Sequence, residues 1–130
     1  MIFALKTADN TTGLWLYSPD GAVTAEQSWD SGRALADELL GQLTEFLQRH
    51  GASLGDLTGI IVFSGPGSFT SLRIGHTVAN ALADSLQIPV VGAMGDGWAA
   101  AAIAALSSTP VGQSALPHYG AEANITKPKT

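Results

Sequence analysis

Apolar and polar positions alternate in short runs over the first thirty residues. Residues 2–7 and 13–18 carry Phe, Leu, Trp and Tyr and are split by Asp9-Asn10-Thr11-Thr12-Gly13, which predicts strand, turn, strand. Pro19-Asp20-Gly21 is a turn with a mechanism: Pro presets φ and Asp-Gly accepts a tight hairpin conformation. A third strand follows over 22–29. The period then changes. Over 31–49, Leu35, Leu39, Leu43 and Phe46 form one stripe, and Ala36, Leu40, Leu43 and Leu47 form a second beside it. This predicts a helix with Asp30 or Ser31 as N-cap and Gly51 as its stop. Arg49 and His50 lie in its last turn, where the helix dipole favours positive charge. The apolar face is wider than a single contact needs. Such a helix is either sunk in its own core or pressed between the sheet and another protein.

Gly59-Ile60-Ile61-Val62-Phe63-Ser64 reads as a buried strand, followed by a glycine-rich turn and a helix over 69–87. Ile88-Pro89-Val90-Val91-Gly92 is another short strand, with Pro tolerated at its start. Asp96 is the expected N-cap of an Ala-rich helix from Gly97 to Leu106. After Ser107-Ser108-Thr109-Pro110 the pattern dissolves into Gly, Pro, Ser and Lys. The order β-β-β-α-β-α-β-α predicts an α/β fold with a mixed five-stranded sheet and helices packed on it. That is the ribonuclease-H-like arrangement, the actin-like lobe also used by sugar kinases. Residues 1–106 form the lobe in this reading, and 107–130 an extended C-terminal tail.

Composition narrows the function classes. At 130 residues, with 45% hydrophobic and 13% charged residues, the chain suits one domain with a real core. So few charges leave apolar surface for a partner. The absence of cysteine fits a reducing compartment. The start Met1-Ile2-Phe3-Ala4-Leu5-Lys6-Thr7 lacks signal-peptide features, and no window reaches the apolar length of a membrane span. A cytoplasmic protein is expected. The net charge is −5, and Lys6, Arg33, Arg49, Arg73, Lys127 and Lys129 are scattered along the chain. Nucleic-acid affinity rests on clustered cations, so RNA would be reached only through other proteins.

The loop Ser64-Gly65-Pro66-Gly67-Ser68-Phe69-Thr70 joins a buried strand to a helix N-terminus, a place where backbone N–H groups can hold an anion. It lacks the Lys of a P-loop, and Thr70 stands where the dinucleotide fingerprint has its third Gly. The plain reading is a tight strand-to-helix turn. His50, His76 and His118 are far apart in sequence, which disfavours a metal site; no metal or other cofactor is expected. Ser64 and Ser68 lack a Gly-x-Ser-x-Gly context and a His nearby in sequence, although a distant His can fold close. A two-metal nuclease would need an acid on the first strand, where Lys6 stands. On the second helix Gly75, Ala79 and Ala83 form a small-residue ridge among Leu72, Val78, Leu82 and Leu86. It lets another element approach closely, either this chain's own sheet and helix or a partner's helix.

Gly65-Pro66-Gly67-Ser68-Phe69-Thr70-Ser71-Leu72-Arg73-Ile74-Gly75 resembles the signature of the TsaB (YeaZ) family, with Ser71 where the family usually has Gly. Ser31-Gly32-Arg33-Ala34-Leu35, Asp56-Leu57-Thr58-Gly59-Ile60 and Ile88-Pro89-Val90-Val91-Gly92 resemble it too, so the likeness covers residues 1–106. It implies a non-catalytic dimerization subunit of the enzyme that forms threonylcarbamoyladenosine in tRNA. The implied partners are a catalytic TsaD-type subunit, paired through the first two helices, and a TsaE-type ATPase joining the complex. Without them, a homodimer through the same helices is implied. The partner face then falls on Arg33, Ala36, Leu40, Leu47, Leu72, Gly75, His76 and Ala79, while Gly65, Pro66, Gly67, Ser68, Phe69, Thr70 and Arg73 shape the signature loop. Two departures stand out. Lys6 replaces the family's usual Asp, which argues against a working phosphate or metal site. Typical members also carry two lobes, yet Pro117–Pro128 resembles a full member's C-terminal end. The second lobe is thus expected to be missing from the middle, with the tail docked back on the lobe. Two other readings stay open: a stand-alone nucleotide-binding regulator, and a small hydrolase or peptidase.

Overall fold

The computed structural model describes residues 1–117. Three antiparallel strands open it: β1 (Ile2–Lys6), β2 (Thr11–Tyr17) and β3 (Val23–Asp30). Helix α1 (Leu35–Arg49) leads to β4 (Gly59–Phe63), α2 (Phe69–Leu86), β5 (Val90–Ala93) and α3 (Trp98–Leu106). The order across the single five-stranded sheet is β3-β2-β1-β4-β5. β4 runs parallel to β1 and to β5. This is the mixed α/β sheet that the alternating elements predict.

The strand pleat sorts the core. In β1, Phe3 and Leu5 join Leu14, Leu16, Ile60 and Val62 under α1 and α2. Ile2 and Ala4 face the other way with Tyr17 and Ile61, under α3. Successive residues of a strand point to opposite faces, so each strand feeds both layers. Leu35, Leu39, Leu43, Phe46 and Leu47 of α1 are all buried, each worth about 1.5–3 kcal/mol of transfer free energy.

The helix ends differ from expectation at two N-termini. A single 3-10 turn, Gly32–Ala34, precedes α1, and neither Asp30 nor Ser31 caps it. The Ser31 hydroxyl instead meets Thr12 Oγ1 at 2.7 Å and donates to the Asn10 carbonyl, so it ties α1 to the β1–β2 turn. In α3 the N-cap is Gly97, at φ +68°, rather than Asp96, and no side chain caps it. The stop of α1 follows expectation: Ala52 N–H donates to Leu47 O and Gly51 N–H to Gln48 O, the paired closure that a left-handed Gly51 permits.

Beyond α3, Ala115 is buried. Its N–H and C=O both bond the Asn80 amide of α2, at 2.8 and 3.0 Å. The expected docking of the tail beyond Pro117 lies outside the described residues.

The closest approach in the fold is α2 on the end of β1. A Cβ on Gly75 would stand 2.1 Å from Thr7 Oγ1, and Thr7 Oγ1 donates to Ser71 O at 2.7 Å. Gly75→Ala should therefore lower stability by about 1–3 kcal/mol, the usual effect of overpacking. Gly41, mid-helix in α1, has nothing within 4 Å of its would-be Cβ, and Gly41→Ala should raise stability by ~0.5–1 kcal/mol. Urea midpoints at unchanged m would check both.

In the β2–β3 turn, the Ser18 hydroxyl and then the Ala22 N–H hold the Asp20 carboxylate below its ordinary value of 3.8. A lowered folded-state value stabilises the turn above the ordinary range, and this is lost as pH falls through the lowered value. An NMR titration of the Asp20 carboxyl should show a midpoint below 3.8.

Candidate functional site

The signature loop is built against the residues that follow β1. Ser68 N–H donates to Ala8 O at 2.7 Å, and a Cβ on Gly67 would stand 2.6 Å from Ala8 Cβ. Ser68 caps α2, its hydroxyl accepting from Ser71 N–H. Gly65 adopts φ +122°, and the Gly65-Pro66 peptide is cis. The free end of α2 opens onto a shallow polar groove of about 800 Å³ that includes Asn10, Asp30, Arg33, Ser68 and Thr70. An anion there would meet the helix dipole and Arg33 favourably but Asp30 unfavourably.

The residues expected on a partner face separate into two groups. Arg33, Ala36 and Leu40 are exposed, Leu40 at 55%. Leu47, Leu72, Gly75, His76 and Ala79 are buried in this lobe. The small ridge of α2 thus serves its own sheet, where Gly75 meets Thr7. The outward face of α2 carries other residues. Phe69, 48% exposed, joins Ala36, Thr70, Arg73, Ile74, Thr77 and Val78 around an apolar groove of about 390 Å³ between the two helices. Of these, Ile74, Thr77 and Val78 were not singled out from the sequence as surface candidates. The signal was partial: Thr77 lies opposite Gly75 and Ala79 on the α2 helical wheel, with Ile74 and Val78 on its flanks, but the wheel alone does not say which side meets the sheet.

Lys6 points to the α3 side, its Nζ 4.5 Å from the centre of the Phe63 ring. Phe63 packs edge-on against Trp98, which packs edge-on against Trp15. Aromatic packing and a cation over a ring face thus occupy the place where an acid on the first strand would act. Among the described residues no three His, Asp or Glu side chains gather as metal ligands.

One pairing escaped the sequence reading. His76 Nε2 lies 3.0 Å from Ser64 Oγ, and its Nδ1 lies 2.7 Å from Leu72 O. Twelve residues separate Ser64 and His76. The turn of the loop folds α2 back over the end of β4 and brings them together. The only hint in sequence is that His76 shares a helical stripe with Leu72, Ala79 and Ala83.

Against known proteins, residues 29–105 match the family model "TsaD: tRNA N6-adenosine threonylcarbamoyltransferase". A tRNA threonylcarbamoyladenosine biosynthesis protein TsaB from Escherichia coli (strain K12) is 33% identical over 91 residues, 70% of this chain and 38% of the relative. The TsaB of Bacillus subtilis (strain 168) is 35% identical over 89 residues, 68% of this chain and 38% of the relative. Among solved structures, YeaZ from Pseudomonas aeruginosa is similar with a TM-score of 0.65 and 29% identity, over 72% of this chain and 43% of that one. The match thus spans about two fifths of the length of the curated relatives.

Within the second stripe of α1, the two ends should respond differently to truncation. Leu47→Ala, in the core, should lose about 2–5 kcal/mol. Leu40→Ser, on the surface, should stay within about 0.5 kcal/mol. Ser68→Ala should lose roughly 1 kcal/mol with the cap. Chemical denaturation of the three variants would check the assignment.

Proposed function

This chain belongs to the TsaB (YeaZ) family, and from that premise we propose that it is the non-catalytic dimerization subunit of a complex that forms threonylcarbamoyladenosine in tRNA. Its partner in this reading is a TsaD-type catalytic subunit. A TsaE-type ATPase joins through the complex, and tRNA is reached only through it. The complex works in the cytoplasm. No helix among the described residues is long and apolar enough to cross a membrane.

The observation that carries the reading is the α1–α2 face. Ala36, Phe69 and Ile74 offer apolar surface around a groove, Leu40 is exposed one turn along α1 from Ala36, Arg33 is exposed beside Ala36, and Arg73 lies on the groove wall. Exposed apolar patches rimmed by polar groups mark protein contacts, and a groove between two helices fits a helix of the partner. The 1–106 lobe supplies this whole face. In the absence of the catalytic subunit, two copies pair by the same helices in an isologous contact.

The chemistry is assigned to the partner because Lys6 holds the first-strand position and no metal-ligand cluster occurs among the described residues. A nucleotide-binding regulator would instead use the groove at the α2 N-terminus. Calorimetric titration of the isolated chain with ATP and ADP separates the two, since tight binding would favour the regulator.

Co-purification with the TsaD-type protein of the same organism tests the partner face. The unmodified chain should form a complex, and Leu40→Asp with Thr77→Arg should abolish it at unchanged folding. Gly75 is unsuitable for this test because its substitution would disturb the core. Failure of the unmodified chain to bind would remove the scaffold reading.

A further inference from the structure

Ser64 and His76 form a couple that a scaffold role leaves unused. We propose that Ser64 is a nucleophile activated by His76, and that the pocket over it accepts short-chain acyl esters. This activity is independent of the partner role and uses a different part of the fold.

The tautomer follows from the partners. A carbonyl oxygen only accepts, so the Nδ1 that sits 2.7 Å from Leu72 O carries a proton. In the neutral ring Nε2 then offers its lone pair to the Ser64 hydroxyl 3.0 Å away. This is the tautomer a serine–histidine couple requires. Leu72 belongs to the same helix one turn earlier, so α2 itself fixes the ring. A carbonyl stabilises an imidazolium less than a carboxylate does, so turnover should be slow.

Ser64 directly follows β4 and is 2% exposed, and His76 is 3% exposed, so access is narrow. Ser64 forms the floor of a pocket of about 330 Å³, walled by Gly92, Ala93, Met94, Ser114 and Leu116. A Cβ on Gly92 would stand 2.2 Å from Ser64 Oγ, so only glycine fits beside the hydroxyl. The opposite wall is the segment holding Ser114 and Leu116, pinned at Ala115 by the two bonds from Asn80. The volume is at the small end for ligand pockets, and Met94 and Leu116 supply apolar walls. A short acyl chain suits that space.

In the first step Ser64 Oγ attacks the ester carbonyl while its proton passes to His76 Nε2. The bond from carbonyl carbon to leaving oxygen then breaks, and the alcohol leaves with that proton. Water attacks the acyl-serine with His76 again taking the proton. The carboxylic acid departs, and the proton returns to Ser64.

The full 130-residue chain should be incubated with a fluorophosphonate probe and mapped by mass spectrometry, with p-nitrophenyl butyrate as competing ester. The expected result is one adduct on Ser64, slowed by the ester and absent in Ser64→Ala. His76→Gln, with folding verified by its melting curve, should label about 10²-fold more slowly, the usual contribution of a general base. Asn80→Ala, which releases the Ala115 segment, should label faster. Should His76→Gln fail to fold, the exposed Ser107 of the parent chain serves as reference: labelling of Ser64 about 10²-fold faster supports the proposal, and labelling no faster than that of Ser107 overturns it. No Ser64 adduct in either the parent chain or Asn80→Ala also overturns it, as does labelling that a folded His76→Gln leaves unchanged.

Discussion

The approach of α2 to the end of β1 is the constraint on which the rest depends. Gly75 leaves no room for a Cβ against Thr7 Oγ1, and the Thr7 hydroxyl reaches Ser71 O from the same place. Gly67, in the loop just before the helix, repeats the close contact against Ala8, where Ser68 N–H is bonded to Ala8 O. Together these contacts set the height and rotation of the helix over the sheet. With Gly75, Ala79 and Ala83 turned inward, Phe69, Arg73 and Thr77 are left exposed, with Ile74 on the flank. The proposed partner face is therefore a consequence of where the glycines sit.

The same rotation places two polar side chains of α2 inside. His76 reaches Ser64 at the end of β4, and Asn80 reaches the backbone of Ala115. A buried polar group needs partners, and both have them. The helix thus ends up with two working sides: an outward apolar one on α1's flank, and an inward polar one above the last residues of β4 and β5. Neither could be displaced without moving the other, because a helix is rigid over these few turns.

Helix α1 shows how a wide apolar face is divided. Leu35, Leu39, Leu43, Phe46 and Leu47 all reach the core, and Ala36 and Leu40 are left outside. The first stripe is buried along its whole length, while the second is exposed at Ala36 and Leu40 and buried at Leu43 and Leu47. The polar ties of α1 lie on the β3 side, where Trp29 Nε1 donates to Glu38 and Gln27 to Gln42. Exposed bonds of this kind contribute little; the apolar row beneath holds the helix.

Sequence by itself determined the elements, their order and the class of sheet, because hydrophobic period and turn chemistry are local properties written in neighbouring residues. It also determined the signature loop and the absence of an acid on the first strand. Neither Asp30 nor Ser31 caps α1 and Asp96 does not cap α3, because a capping residue is chosen by the geometry of the entering chain, and Ser31 has better partners in Asn10 and Thr12. Which face of α2 meets the sheet, which residues of the second α1 stripe stay outside, and the meeting of Ser64 with His76 were decided only by tertiary structure. A helical wheel is symmetric with respect to sheet and solvent until a partner surface is present. Here the partner is Thr7, far away in sequence, and its contact with one glycine chooses the side.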